Sequence, residues 1–200
     1  MSSSLDTVSP NITTMIRMDH SHVLAAFRRF KPHASLGKKR ALVANVCLAL
    51  EIHAQLEEEI FYPALREAIG ADEMLDKSVP EHDEMRDLIG QLRALEPDDP
   101  LFDSTFRALI RTVLHHVADE ETMLLPKAEE VLQGELGLLG WQMTKRRMEL
   151  LGPHAAEVAA TTARTFPVGS AAVMAGIATI GWLLLRDHRP RSSLASRLSR

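Results

Sequence analysis

Cysteine and aromatic residues are scarce in this sequence of 200 residues. Its one cysteine, Cys47, cannot form an internal disulfide or build a metal site from several thiolates. Phe, Trp and Tyr make up only 4% of the chain, whereas Ala, Leu and Met are plentiful. This balance favours packed helices over a sheet.

Acidic residues outnumber basic ones over most of the chain. The formal net charge is −4 at pH 7, and residues 186–200 hold five Arg against one Asp, which leaves −8 on residues 1–185. An acidic body of this kind argues against nucleic acid as a partner. The segment before His20 is polar and has no apolar stretch typical of a cleaved signal peptide, which predicts a domain on the cytoplasmic side.

What the sequence does contain is a pattern that occurs twice. The copies begin at His53 and His116, and both read H-x3-E-E-x4-P. Upstream of each copy, at nearly the same separation, lies another histidine with an acidic neighbour, in Asp19-His20 and Glu81-His82. The chain therefore looks like two copies of one unit. The candidate metal ligands that recur in both halves are His20, His53, Glu57, His82, His116 and Glu120.

Apolar residues recur at spacings of three and four in four segments, which predicts four helices. Ser9-Pro10 supplies a cap and a first-turn proline for the first helix, and Asp99-Pro100 opens the fourth in the same way. The stripes of the second and third helices run from Leu42 to Ala64 and from Val79 to Leu92. Short breaks between the helices predict an all-α, antiparallel up-down four-helix bundle over residues 9–133.

Each copy of the pattern ends in a proline, Pro63 or Pro126. A proline inside a helix removes one backbone hydrogen bond and kinks the helix. Termination of the helix is the equally expected alternative.

The six candidate ligands lie on the apolar stripes, so helix geometry points them into one core. Glu57 and Glu120 are about 40° around the helix from His53 and His116. A hydrogen-bonded core histidine is the simpler explanation of any one residue, but repetition in both halves favours a metal site. A metal would neutralise carboxylates whose burial otherwise costs several kcal/mol each. Imidazole and carboxylate ligands suit iron, manganese or zinc, and six of them fit two ions better than one zinc.

This pattern resembles the hemerythrin-like family, whose members carry the HHE cation-binding domain. The resemblance covers roughly residues 10–133 and implies a non-haem centre of two iron ions inside a four-helix bundle. It also implies terminal histidine ligands and bridging carboxylates. The terminal ligands would be His20, His53, His82 and His116, and the bridging carboxylates Glu57 and Glu120.

Two departures from the oxygen-carrying hemerythrins bear on function. Those carriers resemble one another in having H-x3-H on the third helix, whereas the residue four positions after His82 is Arg86. Their last carboxylate follows its histidine by five positions, so Glu121 competes with Glu120 for that role. The missing histidine argues against reversible oxygen carriage and favours peroxide, nitric oxide or iron-responsive chemistry. The duplicated ligand set as a whole leads us to expect a di-iron protein that binds, senses or handles oxygen, peroxide or nitric oxide. An iron store or a peroxide-decomposing di-iron enzyme is the alternative, and whether the protein is an enzyme stays open.

Residues beside the candidate ligands have simpler interpretations. His22 lies about 200° around the helix from His20 and is expected to face solvent. A surface position is also favoured for His115. Asp19 and Glu81 could support neighbouring ligands, although a solvated helix face is the default expectation for both.

The C-terminal part of the chain differs in composition from the two copies. Residues 134–164 read as an amphipathic helical extension interrupted at Gly152-Pro153. Residues 165–185 carry no charge, and as a helix rising about 1.5 Å per residue they would reach roughly 31 Å, enough to cross a bilayer core of about 30 Å. This predicts a single transmembrane helix as a C-terminal membrane anchor, followed by a basic tail over 186–200. An apolar helix used in a homodimer is the alternative.

Overall fold

In a computed structural model of the chain, residues 10–154 are described, and they consist of helices and short connections. The α-helices are α1 Ile12–Arg29, α2 Leu36–Leu56, α3 Tyr62–Ile69, α4 Glu73–Ala94, α5 Phe102–Asp119, α6 Leu125–Val131 and α7 Leu136–Leu151. Four helical rods form a bundle. The first rod is α1, the second is α2 continued by α3, the third is α4, and the fourth is α5 continued by α6, while α7 follows the bundle. The all-α prediction is confirmed.

The first and fourth rods begin later than the sequence pattern predicts. The cap of α1 is Asn11, whose side-chain Oδ1 accepts a hydrogen bond from the backbone N–H of Thr14 at 2.8 Å. The predicted cap Ser9 lies outside the described residues. At the start of α5, Asp99 Oδ1 accepts from the N–H of Leu101 at 2.8 Å, so Asp99 stabilises the preceding turn and the helix begins at Phe102.

Neither proline ends its helix. Before each one the backbone widens into a π-helical turn, at Glu57–Phe61 and at Glu120–Leu124. The N–H of the residue preceding each proline then donates to a carbonyl five positions back, that of Glu57 or Glu120. Proline has no N–H and crowds the carbonyl four positions before it, and the wider turn accommodates both effects. The expectation of helix termination is therefore wrong, since α3 and α6 continue beyond the turns.

The six candidate ligands predicted from the sequence form a polar layer between two buried apolar clusters. One cluster contains Ile16 and Leu124, and the other contains Val23 and Phe106. On α1, His20 separates Ile16 in the first cluster from Val23 in the second. Full burial of one large apolar side chain contributes about 1.5–3 kcal/mol, so the clusters offset the cost of burying the polar layer.

The helix α7 packs outside the bundle against α1 and α2. Its Leu139 and Met143 are buried in the same cluster as Ile16. Its Gly140 lies so close to the start of α1 that an added Cβ would be 2.2 Å from the carbonyl oxygen of Pro10. A 3-10 turn at Gly152–His154 follows α7, at the predicted break.

The predicted fold class needs one correction, because it included a transmembrane helix. Within residues 10–154, no helix is both long enough and apolar enough to cross a membrane. The predicted transmembrane helix and membrane anchor are therefore not part of the fold formed by these residues. Residues 165–185, to which the sequence pattern assigned them, lie outside the described residues.

Candidate metal centre

The six candidate ligands come together in the middle of the bundle. We call them the His/Glu core, and none of the six residues is more than about a twentieth exposed, His53 at 5% being the highest. Their potential ligand atoms form two groups, each within 4.8 Å, that share Glu57. The first group is His20, His53, Glu57 and Glu120, and the second is Glu57, His82 and His116.

The inner ring nitrogen of each histidine, Nε2, faces the centre of the core. His53 Nε2 lies 3.2 Å and His82 Nε2 lies 3.4 Å from the same oxygen, Oε2 of Glu57. Oε2 of Glu120 lies 3.3 Å from His20 Nε2 and 3.6 Å from His116 Nε2. Each carboxylate therefore lies between one histidine from the first half of the chain and one from the second.

Several of these buried atoms have no hydrogen-bond partner among the described residues. They are Nε2 of His20, Nε2 of His53, Oε1 of Glu57 and Oε2 of Glu120. Buried polar atoms are normally satisfied, and unsatisfied ones cost about 1–3 kcal/mol each. Imidazole nitrogens and carboxylate oxygens are also suitable ligands for iron. The donor set therefore fits metal ions bound between these residues.

Tyr62 contributes a hydroxyl group to the core, and the sequence patterns missed it. Its oxygen lies 2.9 Å from Oε1 of Glu120 and 3.3 Å from Oε2 of Glu57. It is also 3.3 Å from Nε2 of His82. Its signal in the sequence is faint: Tyr62 is the single tyrosine, and the second copy of the pattern has Leu125 at the corresponding position.

The outer ring nitrogen of each histidine, Nδ1, contacts a carboxylate that we call an outer carboxylate. The four pairs are His20–Glu121 at 2.9 Å, His53–Asp19 at 3.4 Å, His82–Glu58 at 2.8 Å and His116–Glu81 at 2.9 Å. When Nδ1–H donates to such a carboxylate, the Nε2 lone pair is free to bind a metal. Asp19 and Glu81 thus contact the histidine of the neighbouring helix, contrary to the default expectation of a solvated face.

Each outer carboxylate also has a cationic partner. The pairs are Glu121 with Arg17 at 3.4 Å, Asp19 with Arg147 at 2.6 Å, Glu58 with Arg86 at 2.7 Å and Glu81 with Lys77 at 3.8 Å. The negative charges around the core are therefore balanced locally. Arg86, four positions after His82, belongs to this outer set.

The two central carboxylates differ in proton affinity. Burial and the neighbouring Glu120 raise the pKa of Glu57 well above its ordinary value. Burial acts on Glu120 in the same direction, but His116 and His20 outweigh it and lower the pKa of Glu120. Burial likewise disfavours the charged form of His20, yet Glu120 and Glu57 raise its pKa to about 9. Protons thus balance the core's negative charge, and a bound cation can displace them.

A third group of possible ligands lies at the surface beside the core. Glu81, His115 and Asp119 approach one another there. The Lys77 ammonium forms ion pairs with Asp119 and with Glu81, so a cation already balances these carboxylates. The His115 side chain is 70% exposed and His22 is also exposed, which confirms both surface predictions.

Comparisons with known proteins agree with this geometry. The family model described as "Hemerythrin HHE cation binding domain" matches residues 11–128. A protein of Nostoc sp. named "DNA nickase" is 31% identical over 125 residues, which cover 62% of this chain but only 35% of that protein. A crystal structure of a hemerythrin HHE cation binding domain-containing protein from Mycobacterium kansasii is also similar. Its TM-score is 0.62 at 21% identity, with 80% of this chain and 96% of that chain covered. The chain therefore belongs to the hemerythrin HHE cation-binding domain family.

Proposed function

We propose that this metal-binding protein holds two iron ions in the His/Glu core and uses them to bind, sense or process oxygen, peroxide or nitric oxide. The observation that carries the proposal is the pair of ligand groups sharing Glu57, with buried donor atoms that lack hydrogen bonds. His20 and His53 would bind one ion, and His82 and His116 the other. Glu57 and Glu120 would bridge them, since each contacts histidines from both halves.

The surroundings of the core suit a small ligand. A cavity of about 10 Å³ adjoins three of the histidines, and its other walls are largely apolar. A volume of this size is about the smallest that holds one water molecule, so the cavity excludes large ligands, and a diatomic molecule or peroxide would enter as the lining side chains shift. Its lining residues are Asp19, His20, Val23, Leu50, His53, Met85, Val113, His116 and Val117.

Bound iron would supply redox and Lewis-acid chemistry toward such a ligand. The chain's own residues would orient the ions and exclude bulk water, because the His/Glu core is buried between two apolar clusters. Burial, together with Glu57 and Glu120, raises the pKa of Tyr62, so its hydroxyl keeps its proton at neutral pH. That hydroxyl favours peroxide decomposition as a second candidate function, since it can hold a proton beside Glu57 and Glu120, the carboxylates that would hold both ions.

The name of the Nostoc relative does not lead us to propose DNA cleavage. The matched region is 35% of that protein, so its activity can depend on the remainder. Residues 1–185 of the present chain carry a net charge of −8, which repels the phosphate backbone. We therefore propose a small-molecule ligand and no nucleic acid partner.

Metal analysis of the purified full-length protein tests the proposal. We expect about two irons per chain, and optical bands that change on exposure to oxygen, peroxide or nitric oxide. Turnover of peroxide would indicate the enzyme, whereas ligand-dependent bands without turnover would indicate a sensor. His116→Ala should lose metal, and His115→Ala, a change at the exposed neighbouring position, should retain it. Equal metal content in the two variants would refute the assignment of His116.

A further inference from the structure

We propose that α7, which follows the matched family region, positions the metal ligand His53 through Arg147 and thereby couples its own docking to metal binding. The inference rests on the proposed metal site. The Arg147 guanidinium donates two hydrogen bonds to Asp19, from Nη1 to Oδ1 and from Nη2 to Oδ2, each 2.6 Å long. Oδ2 of Asp19 lies 3.4 Å from Nδ1 of His53. Arg147 therefore acts on the ligand through Asp19.

The pairing with Arg147 restricts Asp19 strongly. Two parallel charge-assisted hydrogen bonds fix both the position and the plane of a carboxylate. The Asp19 side chain is only 14% exposed, so water competes weakly for its oxygens. A fixed Asp19 in turn keeps the His53 ring oriented with Nε2 toward Glu57.

The other three outer carboxylates do not depend on α7. Their cations are Arg17 on α1 and Lys77 and Arg86 on α4, all within the family match at residues 11–128. For His53 alone among the four histidines, the supporting cation comes from residues beyond that match. The His53–Asp19 contact is also the longest of the four, so it has the least margin for further displacement.

Beside α7, His53 and Asp19 stay largely buried although a pocket reaches them. The pocket has a volume of about 200 Å³, is partly open to solvent, and is lined by residues that include Asp19, His53, Arg147 and Leu151. Removing the Arg147 side chain would enlarge this pocket directly beside Asp19. Water could then hydrate the carboxylate and compete for its contact with His53.

Coupling of this kind has to be reciprocal. If docked α7 strengthens metal binding by a given factor, bound metal stabilises the docking of α7 by the same factor. The buried contacts of Leu139 and Met143 hold α7 in place without metal, so the effect is a shift in an existing equilibrium. Metal binding should therefore protect the backbone amides of α7 from hydrogen exchange.

The test compares Arg147→Ala and Arg147→Lys with the control Arg146→Ala in the full chain. Arg146 is the adjacent residue and pairs with Glu59 at 2.6 and 3.0 Å, without contact to a candidate ligand. Chelator competition should show about 10-fold or greater loss of iron affinity for Arg147→Ala, partial rescue in Arg147→Lys, and little change in Arg146→Ala. Metal should slow hydrogen exchange in α7 of the wild type more than in Arg147→Ala.

Two outcomes separate this inference from the proposed function. If the wild type binds two irons and Arg147→Ala retains the same affinity and exchange protection as Arg146→Ala, the role of Arg147 is refuted and the metal site stands. If the wild type binds no iron, the proposed function fails first. Should Arg147→Ala unfold, the same comparison is made with Arg147→Lys, whose single ammonium cannot reproduce the paired hydrogen bonds.

Discussion

Arg86 illustrates how a substitution at one residue changes its task in the site. A guanidinium has no lone pair and cannot bind a metal, so the position used for a histidine by oxygen carriers supplies no ligand here. Instead, Nη2 of Arg86 donates to both oxygens of Glu58 at 2.7 Å, and Glu58 contacts Nδ1 of His82. Arg86 therefore supports the candidate ligand His82, one helical turn away, through Glu58.

Glu120 and Glu121 are adjacent in sequence but occupy different layers of the site, which predicts different effects of substitution. Glu120 is 1% exposed and faces two inner nitrogens, whereas the Glu121 side chain is 33% exposed and contacts Nδ1 of His20. We expect Glu120→Gln to lose at least half of the bound iron. Glu121→Gln should keep the stoichiometry with roughly 10-fold weaker binding, because it alters only an outer partner. Iron analysis and chelator titration of both variants measure the difference.

The isosteric amide makes this comparison informative, because both variants preserve side-chain volume and remove one negative charge. A result in which Glu121→Gln loses iron while Glu120→Gln retains it would exchange the two assignments.

At the residue scale, the repeated pattern was sufficient to predict which six side chains come together in the His/Glu core. It could not predict their partners fully. Asp19 lies beside His20 in sequence but contacts His53, and such pairing depends on how two helices are rotated against each other. Tyr62 was missed for another reason: a search for repeated residues overlooks a residue present in one copy only.

At the element scale, both π-helical turns begin at a central carboxylate. Glu57 and Glu120 are the first residues of their turns, and each proline follows soon after its turn ends. Helical periodicity assumes a regular α-helix, so it predicts where these elements lie but not that each contains a widened turn. For α4 the predicted stripe began at Val79, which is 41% exposed. The helix begins earlier, at Glu73, and its buried face reaches His82 through Leu75 and Ser78 instead.

Lys39, in the first turn of α2, contacts the connection between α4 and α5. Its substitution is therefore expected to lower the stability of the fold. Its ammonium forms an ion pair with Asp103, donates to the carbonyl of Pro97 at 3.0 Å and lies 5.3 Å from the ring centre of Phe102. Lys39→Met should lower the free energy of unfolding by about 1–2 kcal/mol, because Asp103 and the carbonyl of Pro97 lose their partner in a partly buried position. Urea denaturation of the metal-free protein measures this change.

The neighbouring Lys38 provides the control, since it is exposed and belongs to the same helical turn. Lys38→Met should change the unfolding free energy by no more than about 0.5 kcal/mol. Both variants should retain the wild-type iron content, because Lys39 contacts no residue of the His/Glu core. Equal stability of the two variants would contradict the proposed role of the buried ammonium.

At the scale of the whole molecule, the two halves of the chain have different surroundings, although they share the repeated sequence pattern. Asp19 and Glu81 occupy matching positions, but α7 supplies the cation for Asp19 whereas Lys77 within the bundle supplies that for Glu81. His115 is exposed on the second half, and its counterpart in the first half is the apolar Ile52, which packs against a core cluster. Repetition in sequence predicted the shared site, while this asymmetry arises from a helix that has no counterpart in the repeat.

Docking of α7 depends on the absence of a side chain at Gly140, which gives a prediction for the whole molecule. A Cβ there would lie 2.2 Å from the carbonyl oxygen of Pro10, and backbone atoms cannot move aside as a flexible side chain can. Gly140→Ala should therefore displace α7 from α1 and cost roughly 1–3 kcal/mol. Increased hydrogen exchange in α7, a lower Tm and weaker iron binding should appear together, since Arg147 would move away from Asp19.

Gly137 offers a matched control in the same helix, because an added Cβ there meets nothing within 4 Å. Gly137→Ala should leave iron affinity unchanged and stabilise the protein by about 0.5–1 kcal/mol, since alanine restricts the unfolded chain more than glycine does. An added Cβ at Gly140 would meet the start of α1 and no member of the His/Glu core. If Gly140→Ala loses iron affinity and Gly137→Ala does not, the loss is therefore explained by displacement of α7 and of Arg147. If both variants bind iron as the wild type does while α7 exchanges faster in Gly140→Ala, docking and metal binding are independent.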